Sequence, residues 1–540
     1  MCFTPTQFLS TDAIMLLTVV LVVAGLAVAL CFFVRKRWHY WKDLNVEQAD
    51  INYIFKNIYI LFSKKTSFAE MTVIGYNKFP KSRYIGTYQL LKPMMLIKDP
   101  ELLKDITVKS FDHFMDHTNQ VSENSDPLWT KNLVALRGQQ WRDMRSVLSP
   151  SFTSSKMKVM FTLMTECAQN FSKHFQKKKE DVVELELKET FTRFTNDVIA
   201  TTAFGIKVDS LEDRDNEFYL MGRDVTNFTG TLKMLKFMIA AAFPRLANLL
   251  KITFFDNKTR NFFTKLIDKT VQVREDKGIV RPDMIHLLME ARKGVQIKEE
   301  LTVDEGFATA KEVENLAEKV VSKEITNIDI TAQALIFFLA GFETVASTMC
   351  FVGYELAANQ DYQERLREEI METLDQCHGS LSYEALLKMK YMDMFVSESL
   401  RKWPVAIMTE RQCTKDYIIK PERPEEAPVT IKKGMSIWMP VYPIHRDSKY
   451  YPDPDKFDPD RFNEQNKSKI NPYTYLPFGL GPRNCIGSRF ALLEVKVVFF
   501  YLLRDFQIVP VEKSQIPLVI SKKNFNLTSE GGFWFGLKRL

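Results

Sequence analysis

An uninterrupted apolar segment near the start of the chain dominates the pattern of hydrophobic and polar positions. The 22 positions from Ala13 to Val34 carry no charged side chain. At about 1.5 Å per residue, a helix of this length spans the roughly 30 Å hydrocarbon core of a bilayer. A cleaved signal peptide is the alternative, but no basic residue precedes the segment, and a basic triplet follows it at 35–37. We therefore predict a retained transmembrane anchor at 13–34, with residues 1–12 on the far side of the membrane.

Helical spacing of apolar residues is the main pattern in the rest of the chain. It extends from Phe152 to Cys377 and predicts a mostly helical middle. Short β-favouring runs lie nearer the ends, at Tyr84–Ile97, Tyr417–Trp438 and Phe525–Leu537. The pattern therefore predicts a mainly α fold with small β-sheets.

The segment that joins the anchor to this body, residues 35–66, contains neither proline nor glycine. Flexible linkers are usually rich in glycine and serine, so we predict a partly helical linker that continues through Ile51–Phe62. The folded body then runs from 67 to 540.

Composition and charge narrow the classes of function. The chain of 540 residues has a net charge of +6, spread along its length without a basic block, which argues against a nucleic-acid partner. Its seven cysteines are widely separated and contain no C-x-x-C pair, which fits a reducing compartment. Neither a Walker sequence nor a Gly-x-Gly-x-x-Gly fingerprint is present, so reducing power would have to come from another protein.

The most specific segment is PFGLGPRNCIG at Pro477–Gly487, here called the thiolate loop, which precedes an apolar helical run. A metal thiolate needs a lowered thiol pKa, and Cys485 just before a helix N-terminus is suited to that. Gly487 would let the backbone approach a flat cofactor. Phe478 would shield the sulfur, and Arg483 would pair with a carboxylate of the ligand. A structural cysteine in a turn is the alternative interpretation.

The thiolate loop resembles the haem-ligand signature of the cytochrome P450 superfamily at every fixed position of F-x-x-G-x-R-x-C-x-G. The resemblance implies the P450 fold, a haem-enclosing triangular prism, for a haem-thiolate catalytic domain at 67–540. It also implies haem b (iron protoporphyrin IX) as the cofactor, with Cys485 as the axial ligand of the iron. Thiolate ligation in such enzymes favours O–O cleavage.

Two charged patterns are similar to structural and cofactor-binding motifs of that family. Glu398 and Arg401 form an E-x-x-R pair on one helix face, and the resemblance implies that Arg461 completes a buried network with them. Taken alone, the pair would be an ordinary surface ion pair.

Trp141 and Arg145, four residues apart on a predicted helix, are similar to the W-x-x-x-R clamp for a haem propionate. Arg411 occupies the place of another propionate-binding arginine. In isolation, the first two residues would be a half-buried tryptophan beside a surface arginine.

A further pattern, AGFET at 340–344, lies in a bulky apolar helix that begins near Thr326 to Asp329. It resembles the oxygen-binding groove of P450 enzymes. Ala340 and Gly341 would leave room beside a flat ligand, Thr344 could donate a hydrogen bond to a reduced oxygen species, and Glu343 could relay protons from solvent. Without the thiolate loop, a threonine that bonds back to a carbonyl of its own helix would be the favoured interpretation.

The resemblance covers the chain from about residue 67 to its end and fits the microsomal type with an N-terminal anchor. The finer resemblance is to insect detoxification P450s related to vertebrate xenobiotic-metabolising members. One departure is that the proline- and glycine-containing hinge usual after the anchor is absent. This departure puts in doubt how the body is held at the membrane.

The leading functional hypothesis is a monooxygenase that inserts one oxygen atom from O2 into lipophilic small molecules, either xenobiotics or endogenous lipophiles. The implied electron donor is NADPH through NADPH-cytochrome P450 reductase, with cytochrome b5 as a second candidate, at the endoplasmic reticulum membrane. Membrane lipid is the other expected partner, and the catalytic domain would face the cytosol. The alternatives are a haem-thiolate isomerase or dehydratase acting on peroxides, and a membrane-tethered haem sensor or lipophile carrier.

Overall fold

The structure is a computed structural model, and helices make up most of it. It describes residues 11–48, 65–89, 92–118, 126–226, 236, 239, 244–250, 252–281, 283–293 and 325–540. The predicted helical continuation at Ile51–Phe62 lies outside these residues. Within them, eighteen α-helices are defined. They are α1 Thr11–Trp38, α2 Tyr40–Asp43, α3 Phe68–Asn77, α4 Pro100–Lys104, α5 Pro127–Thr130, α6 Gly138–Leu148, α7 Ser154–Gln176, α8 Leu187–Ile199, α9 Glu217–Thr226, α10 Pro244–Leu249, α11 Asn257–Lys277, α12 Met284–Arg292, α13 Asn327–Ala358, α14 Gln360–Gln376, α15 Tyr383–Lys388, α16 Lys390–Lys402, α17 Val441–Ile444 and α18 Ser488–Asp505.

Three small sheets accompany the helices. Their strands are β1 Tyr84–Gln89, β2 Lys92–Ile97, β3 Val182–Glu186, β4 Thr409–Gln412, β5 Tyr417–Ile419, β6 Val429–Ile431, β7 Ser436–Met439, β8 Phe506–Pro510 and β9 Trp534–Arg539. The first sheet has the order β1-β2-β7-β4, the second β3-β9-β8 and the third β5-β6. Only β2 and β7 pair in parallel among the described strands. The mainly α fold with small sheets is thus confirmed.

Helix α13 is the central element of the body. It begins where its capping box predicts, because the Thr326 hydroxyl accepts from the Asp329 N–H while the Asp329 carboxylate accepts from the Thr326 N–H at 2.9 Å. Its apolar surface contributes to two of the three hydrophobic clusters. It is long and apolar enough to span a membrane, but 56% of its most apolar window is buried inside the protein, as in the core helix of a soluble fold.

Helix α1 differs from α13 because its apolar side chains are exposed. The stretch Met15–Trp38 is a candidate membrane span, and Arg35, Lys36 and Arg37 lie in the last turn of the helix. The structure thus agrees with an N-terminal anchor at 13–34.

The residues that follow the anchor pack directly on the catalytic body. Trp41 is fully buried, and its indole N–H donates to the Thr87 carbonyl at 3.0 Å. Trp38 stacks on Tyr88 with ring centroids 4.4 Å apart. A Cβ at Gly86 would lie 2.3 Å from the Trp41 ring, so the glycine leaves the space that this ring occupies. We call Trp38, Trp41, Gly86 and Tyr88 the aromatic joint.

Candidate active site

The thiolate loop is folded by two glycines with positive φ. Gly479 has φ +76° and Gly481 has φ +67°, conformations that favour glycine. A Cβ at Gly481 would lie 1.9 Å from the Thr107 carbonyl oxygen, so no larger residue fits there without a backbone shift. The Cys485 N–H donates to the Phe478 carbonyl at 2.9 Å and closes the loop. These contacts fix Cys485 just ahead of α18.

Cys485 is exposed, although residues 482–484 just before it are buried and residues 486 and 487 are half-buried. Desolvation by the surrounding protein raises its pKa, while the Gly487 N–H and the charge of Arg145 act in the opposite direction. A thiol that is exposed yet desolvated faces a space inside the protein and not bulk solvent. The protein alone therefore does not lower the pKa of this thiol as the position of the loop predicted, and a metal ion bound at the sulfur would favour the thiolate.

Two cationic side chains are fixed against the thiolate loop. Arg145 donates to the carbonyl oxygen of Asn484 at 3.0 Å and to its side-chain oxygen at 2.9 Å. Arg483 lies over the Trp141 ring, with the guanidinium carbon 4.2 Å from the ring centroid. Its donors reach the carbonyls of residues 115, 133 and 136 at 2.6–3.1 Å. Arg483 has no carboxylate within hydrogen-bond distance among the described residues.

A third arginine comes from strand β4. Arg411 is 1% exposed and donates to the Leu480 carbonyl at 3.0 Å. Its Nε has no hydrogen-bond partner among the residues that the structure describes. Burial lowers the pKa of Arg411 to about 10. Burial also lowers the pKa of Arg483 to about 9, and repulsion from Arg411 adds to that effect.

Few carboxylates lie near the buried arginines around the loop in the part of the chain that the structure describes. Arg145, Arg411 and Arg483 are opposed nearby by Asp116, whose carboxylate is 3.8 Å from Arg483, and by Glu410. Glu410 is itself bonded to His117 at 3.0 Å and to Thr118. Buried cations without full pairing are costly. The residues present therefore fit a ligand with carboxylates, and haem b carries two propionates.

The AGFET segment of α13 presents different faces to different neighbours. Gly341 packs against α8, where a Cβ would lie 2.8 Å from the Ile199 side chain. Ala340 and Thr344 are exposed, although Phe342 is 1% exposed and Val345 3%. The Thr344 hydroxyl donates to the Ala340 carbonyl one turn earlier. The glycine therefore permits close helix packing, and the alanine and threonine form an open stretch on a buried helix.

Phe152 connects this face of α13 to the thiolate loop. Phe337 lies on the same face as Ala340 and Thr344, at helical spacing i, i+3, i+7. Its ring stacks on Phe152 with centroids 5.6 Å apart. A Cβ at Gly487 would be 3.8 Å from the Phe152 ring, so the chain itself would tolerate a side chain there. The loop and the open stretch of α13 thus approach each other from opposite sides of one phenylalanine.

Glu343 is held by a residue that the sequence did not single out. Lys188 of α8 approaches its carboxylate at 2.7 Å, its carbonyl oxygen at 3.2 Å and the Ser347 hydroxyl at 2.7 Å. A separation of 155 positions carries no spacing signal, so only the fold reveals this contact.

The E-x-x-R pair is buried and bidentate. Arg401 Nε is 2.7 Å and Nη2 is 2.8 Å from the two carboxylate oxygens of Glu398, and both side chains are 0% exposed. Arg461 lies 3.4 Å from Glu398. The Asp458 N–H also donates to Glu398, at 2.9 Å. Burial raises the pKa of Glu398, and these bonds oppose that rise. The interpretation as a surface pair is therefore wrong.

His445 is another buried group that the sequence gave no reason to select. Its Nδ1 lies 3.0 Å from the Arg401 carbonyl, and its Nε2 accepts from the Leu476 N–H at 2.8 Å. The ring therefore joins the E-x-x-R helix to the segment that leads into the thiolate loop. Burial lowers the pKa of His445 to about 3, so the ring is neutral.

Comparison with known proteins covers most of the chain. A family model described as Cytochrome P450 matches residues 76–534. Cytochrome P450 9e2 of Blattella germanica is 46% identical over 494 residues, which cover 88% of this chain and 90% of the relative. Probable cytochrome P450 9f2 of Drosophila melanogaster is 42% identical, with 92% and 94% covered. Probable cytochrome P450 6a13 of the same fly is 37% identical, with 95% and 97% covered.

These matches extend well beyond the thiolate loop, and the resemblance to insect P450s is thereby confirmed. The chain belongs to the cytochrome P450 family, whose membership implies a haem b cofactor and haem-thiolate monooxygenase activity.

Proposed function

We propose that this P450 inserts one oxygen atom from O2 into lipophilic small molecules, either xenobiotics or endogenous lipophiles. Its electrons come from NADPH through NADPH-cytochrome P450 reductase, with cytochrome b5 as a second candidate donor. The observation that carries the proposal is the exposed but desolvated thiol of a loop to which buried arginines are bonded and to which Phe152 links the open stretch of α13.

Haem would be held by the thiolate loop and by the buried side chains beside it. Cys485 would ligate the iron, with Phe478 and Gly487 beside the sulfur. Four buried side chains would bind the two propionates, those of Trp141, Arg145, Arg411 and Arg483. The propionates would then balance the positive charge of the three arginines. When bound, haem with a thiolate ligand supplies the chemistry of O–O cleavage.

The residues of α13 would limit the space beside the cofactor and supply protons to it. Ala340 keeps the helix thin beside the reaction centre, whereas Gly341, expected to do the same, packs against Ile199 of α8 instead. The Thr344 hydroxyl, which donates to the Ala340 carbonyl here, can rotate to donate a hydrogen bond toward the reaction centre. Glu343 carries protons from solvent to this position, because its side chain is 35% exposed and adjacent in sequence.

The network of Glu398, Arg401 and Arg461 would be structural. It lies away from solvent and ties α16 to the segment around Asp458, which precedes the thiolate loop. Its contribution is to hold the scaffold under the haem.

The location that best fits the chain is the endoplasmic reticulum membrane. In this arrangement residues 1–12 are lumenal, 13–34 span the bilayer, 35–66 connect, and the catalytic domain 67–540 faces the cytosol. Support comes from the exposed apolar surface of α1 and the basic residues in its last turn.

A reconstitution experiment tests the proposal. The full chain, with reductase in phospholipid vesicles, should consume NADPH and O2 in a substrate-dependent way and place one 18O atom from 18O2 in the product. Conversion of peroxides without NADPH would indicate an isomerase or dehydratase. Ligand binding without turnover would indicate a sensor or carrier.

The ligand assignment has its own spectroscopic test. Cys485→His should abolish the red-shifted absorption band of the reduced carbon-monoxide complex that thiolate ligation gives. Cys413→Ser, at a buried cysteine outside the thiolate loop, should leave the band unchanged. Retention of the band in the Cys485 variant would refute the assignment.

A further inference from the structure

Lys188 uses all three donors of its ammonium group near one turn of α13. Its Nζ lies 2.7 Å from a carboxylate oxygen of Glu343, 3.2 Å from the carbonyl oxygen of the same residue and 2.7 Å from the Ser347 hydroxyl. An ammonium group has three N–H donors and no acceptor. Every hydrogen bond that Lys188 can donate is therefore made to this turn.

The backbone around this contact is firmly fixed. Helix α8 runs along α13, and the Thr195 hydroxyl donates to the Phe342 carbonyl at 2.9 Å. Farther along, Ile199 fills the space beside Gly341. Since both helices are pinned next to Lys188, the position of the ammonium group relative to Glu343 is set by the fold.

The pair also lies at the boundary with solvent. The side chain of Lys188 is 25% exposed and that of Glu343 is 35% exposed, whereas Phe342 and Val345 are buried. Glu343 and Thr344 are consecutive on a helix, so their side chains point about 100° apart. The Glu343 carboxylate is therefore a partly exposed group of this turn that points away from Thr344.

We propose that Lys188 is a positioning residue for oxygen insertion, which holds the Glu343 carboxylate at a fixed solvent-side point from which protons reach Thr344. The inference rests on the proposed role of Glu343 as a proton relay. A glutamate at a partly exposed helical position samples several rotamers, many of them directed into bulk solvent. The ammonium group restricts this sampling, and a fixed donor transfers protons more efficiently than a mobile one.

The first test measures the contact itself in the resting, haem-loaded protein. Lysines are labelled briefly with an amine-reactive ester, and labelling is quantified by peptide mass spectrometry. Lys188 should react slowly, and Glu343→Gln should raise its labelling at least about two-fold because the charge-assisted bond is lost. Lys177, which is 73% exposed, should be unaffected. Equal labelling of Lys188 in both proteins would overturn the proposal.

The second test measures coupling, as product formed per NADPH consumed. Lys188→Met should lower coupling at least about two-fold and increase the solvent isotope effect in D2O, because proton delivery slows. Lys188→Arg should restore most of the coupling. Haem content, from the reduced carbon-monoxide spectrum, should remain at the level of the unmodified chain in both variants. Unchanged coupling in Lys188→Met would overturn the proposal.

A matched control separates proton delivery from the loss of an ion pair. Lys131 pairs with Asp329 at 3.1 Å near the start of the same helix, away from the AGFET segment. Lys131→Met should leave both coupling and the solvent isotope effect unchanged. An equal loss of coupling in this variant would show that any lost ion pair on α13 suffices, and would contradict the proposal.

Combination with Glu343→Gln identifies the route. If Lys188 acts through Glu343, the double variant should be no less coupled than Glu343→Gln alone. A further loss in the double variant would mean that Lys188 acts elsewhere. Normal coupling in Glu343→Gln would refute the relay, and with it the role of Lys188, even if the enzyme inserts oxygen. Absence of any NADPH-dependent product in the unmodified chain would instead refute the proposed function.

Discussion

At the scale of single residues, a comparison of two glycines with positive φ distinguishes the effect of backbone strain from the effect of a steric clash. Gly481 has φ +67° and Gly379 has φ +81°. Only Gly481 has a neighbour where a side chain would begin, the Thr107 carbonyl oxygen at 1.9 Å, because nothing lies within 4 Å of a Cβ at Gly379. The two positions therefore form a matched pair.

We expect Gly481→Ala to lower the free energy of unfolding by about 2–4 kcal/mol, since strain at positive φ adds to overpacking. Gly379→Ala should cost only about 1 kcal/mol. Urea denaturation measures both values. The thiolate loop should also lose haem in the first variant only, so equal haem retention would contradict the role given to this glycine.

Thr344 has a natural control one turn later in the same helix. Thr344→Ala should leave haem content intact and reduce product per NADPH, because the hydroxyl proposed to donate at the reaction centre is gone. The Thr348 hydroxyl also donates to a carbonyl of its own helix, that of Thr344 at 3.1 Å. A substitution at Thr348 therefore shows the effect of losing such a hydroxyl by itself. Thr348→Ala should keep full coupling. Equal uncoupling in both variants would remove Thr344 from the proton path.

Residues close in sequence were predictable, and residues joined only by the fold were not. The thiolate loop carries its glycines, arginine and cysteine within eleven positions, so spacing alone selects them. Lys188 and His445 give no such signal, because their partners come from other elements. The proximity of the three buried arginines likewise emerges only when β4, α6 and the loop meet.

At the scale of elements, the E-x-x-R network shows how α16 is tied to its surroundings. Arg401 makes two bonds to Glu398 and a third to the His445 carbonyl at 2.9 Å. Arg461 lies 3.4 Å from Glu398, and its Nε has no hydrogen-bond partner. The two arginines should therefore contribute unequally.

We expect Arg401→Lys to lower the free energy of unfolding by about 3 kcal/mol, because lysine cannot reproduce the bidentate geometry in a buried site. Arg461→Lys should cost about 1 kcal/mol or less, since its side chain is 12% exposed and makes no hydrogen bond to Glu398. Thermal unfolding of the haem-loaded proteins distinguishes the two. A larger loss in Arg461→Lys would reverse this ranking.

Helices and strands were predicted correctly where neighbouring residues in the sequence carry a clear signal for them. Helix α13 begins where it was predicted, near Thr326 to Asp329, and the capping box between these two residues explains that start. The β-favouring run Phe525–Leu537 was predicted less well, because only its end at Trp534 enters β9. Gly531 and Gly532 interrupt the run, and the preceding residues form bends. Strand β4 was missed because its four residues include charged side chains that only its partner β7 explains.

At the scale of the whole molecule, the protonation of His445 makes the free energy of unfolding depend on pH. Its pKa is about 3 in the folded protein against an ordinary 6.5, so between these values the unfolded state binds a proton that the native state does not. Stability therefore falls as pH falls through 6.5, by up to about 1.4 kcal/mol per pH unit from this group. Above pH 6.5 the group adds no pH dependence.

Urea midpoints at pH 7.5 and pH 5.5 measure this dependence. His445→Gln can still accept from the Leu476 N–H but cannot be protonated, so its stability should fall less between the two pH values. The variant thereby removes one titrating group and keeps one bond. An identical pH dependence in both proteins would exclude His445 as the source.

The aromatic joint has a consequence for how the enzyme senses its membrane. A tethered domain can keep its orientation while its anchor tilts, but here Trp41 is locked into the sheet beside Gly86. The 22 uncharged positions of the anchor measure about 33 Å, so they fit bilayers of different thickness by tilting. If α1 spans the bilayer as proposed, this packing would make the folded body rotate together with the tilting anchor. Bilayer thickness would then set the angle at which the body lies against the membrane surface.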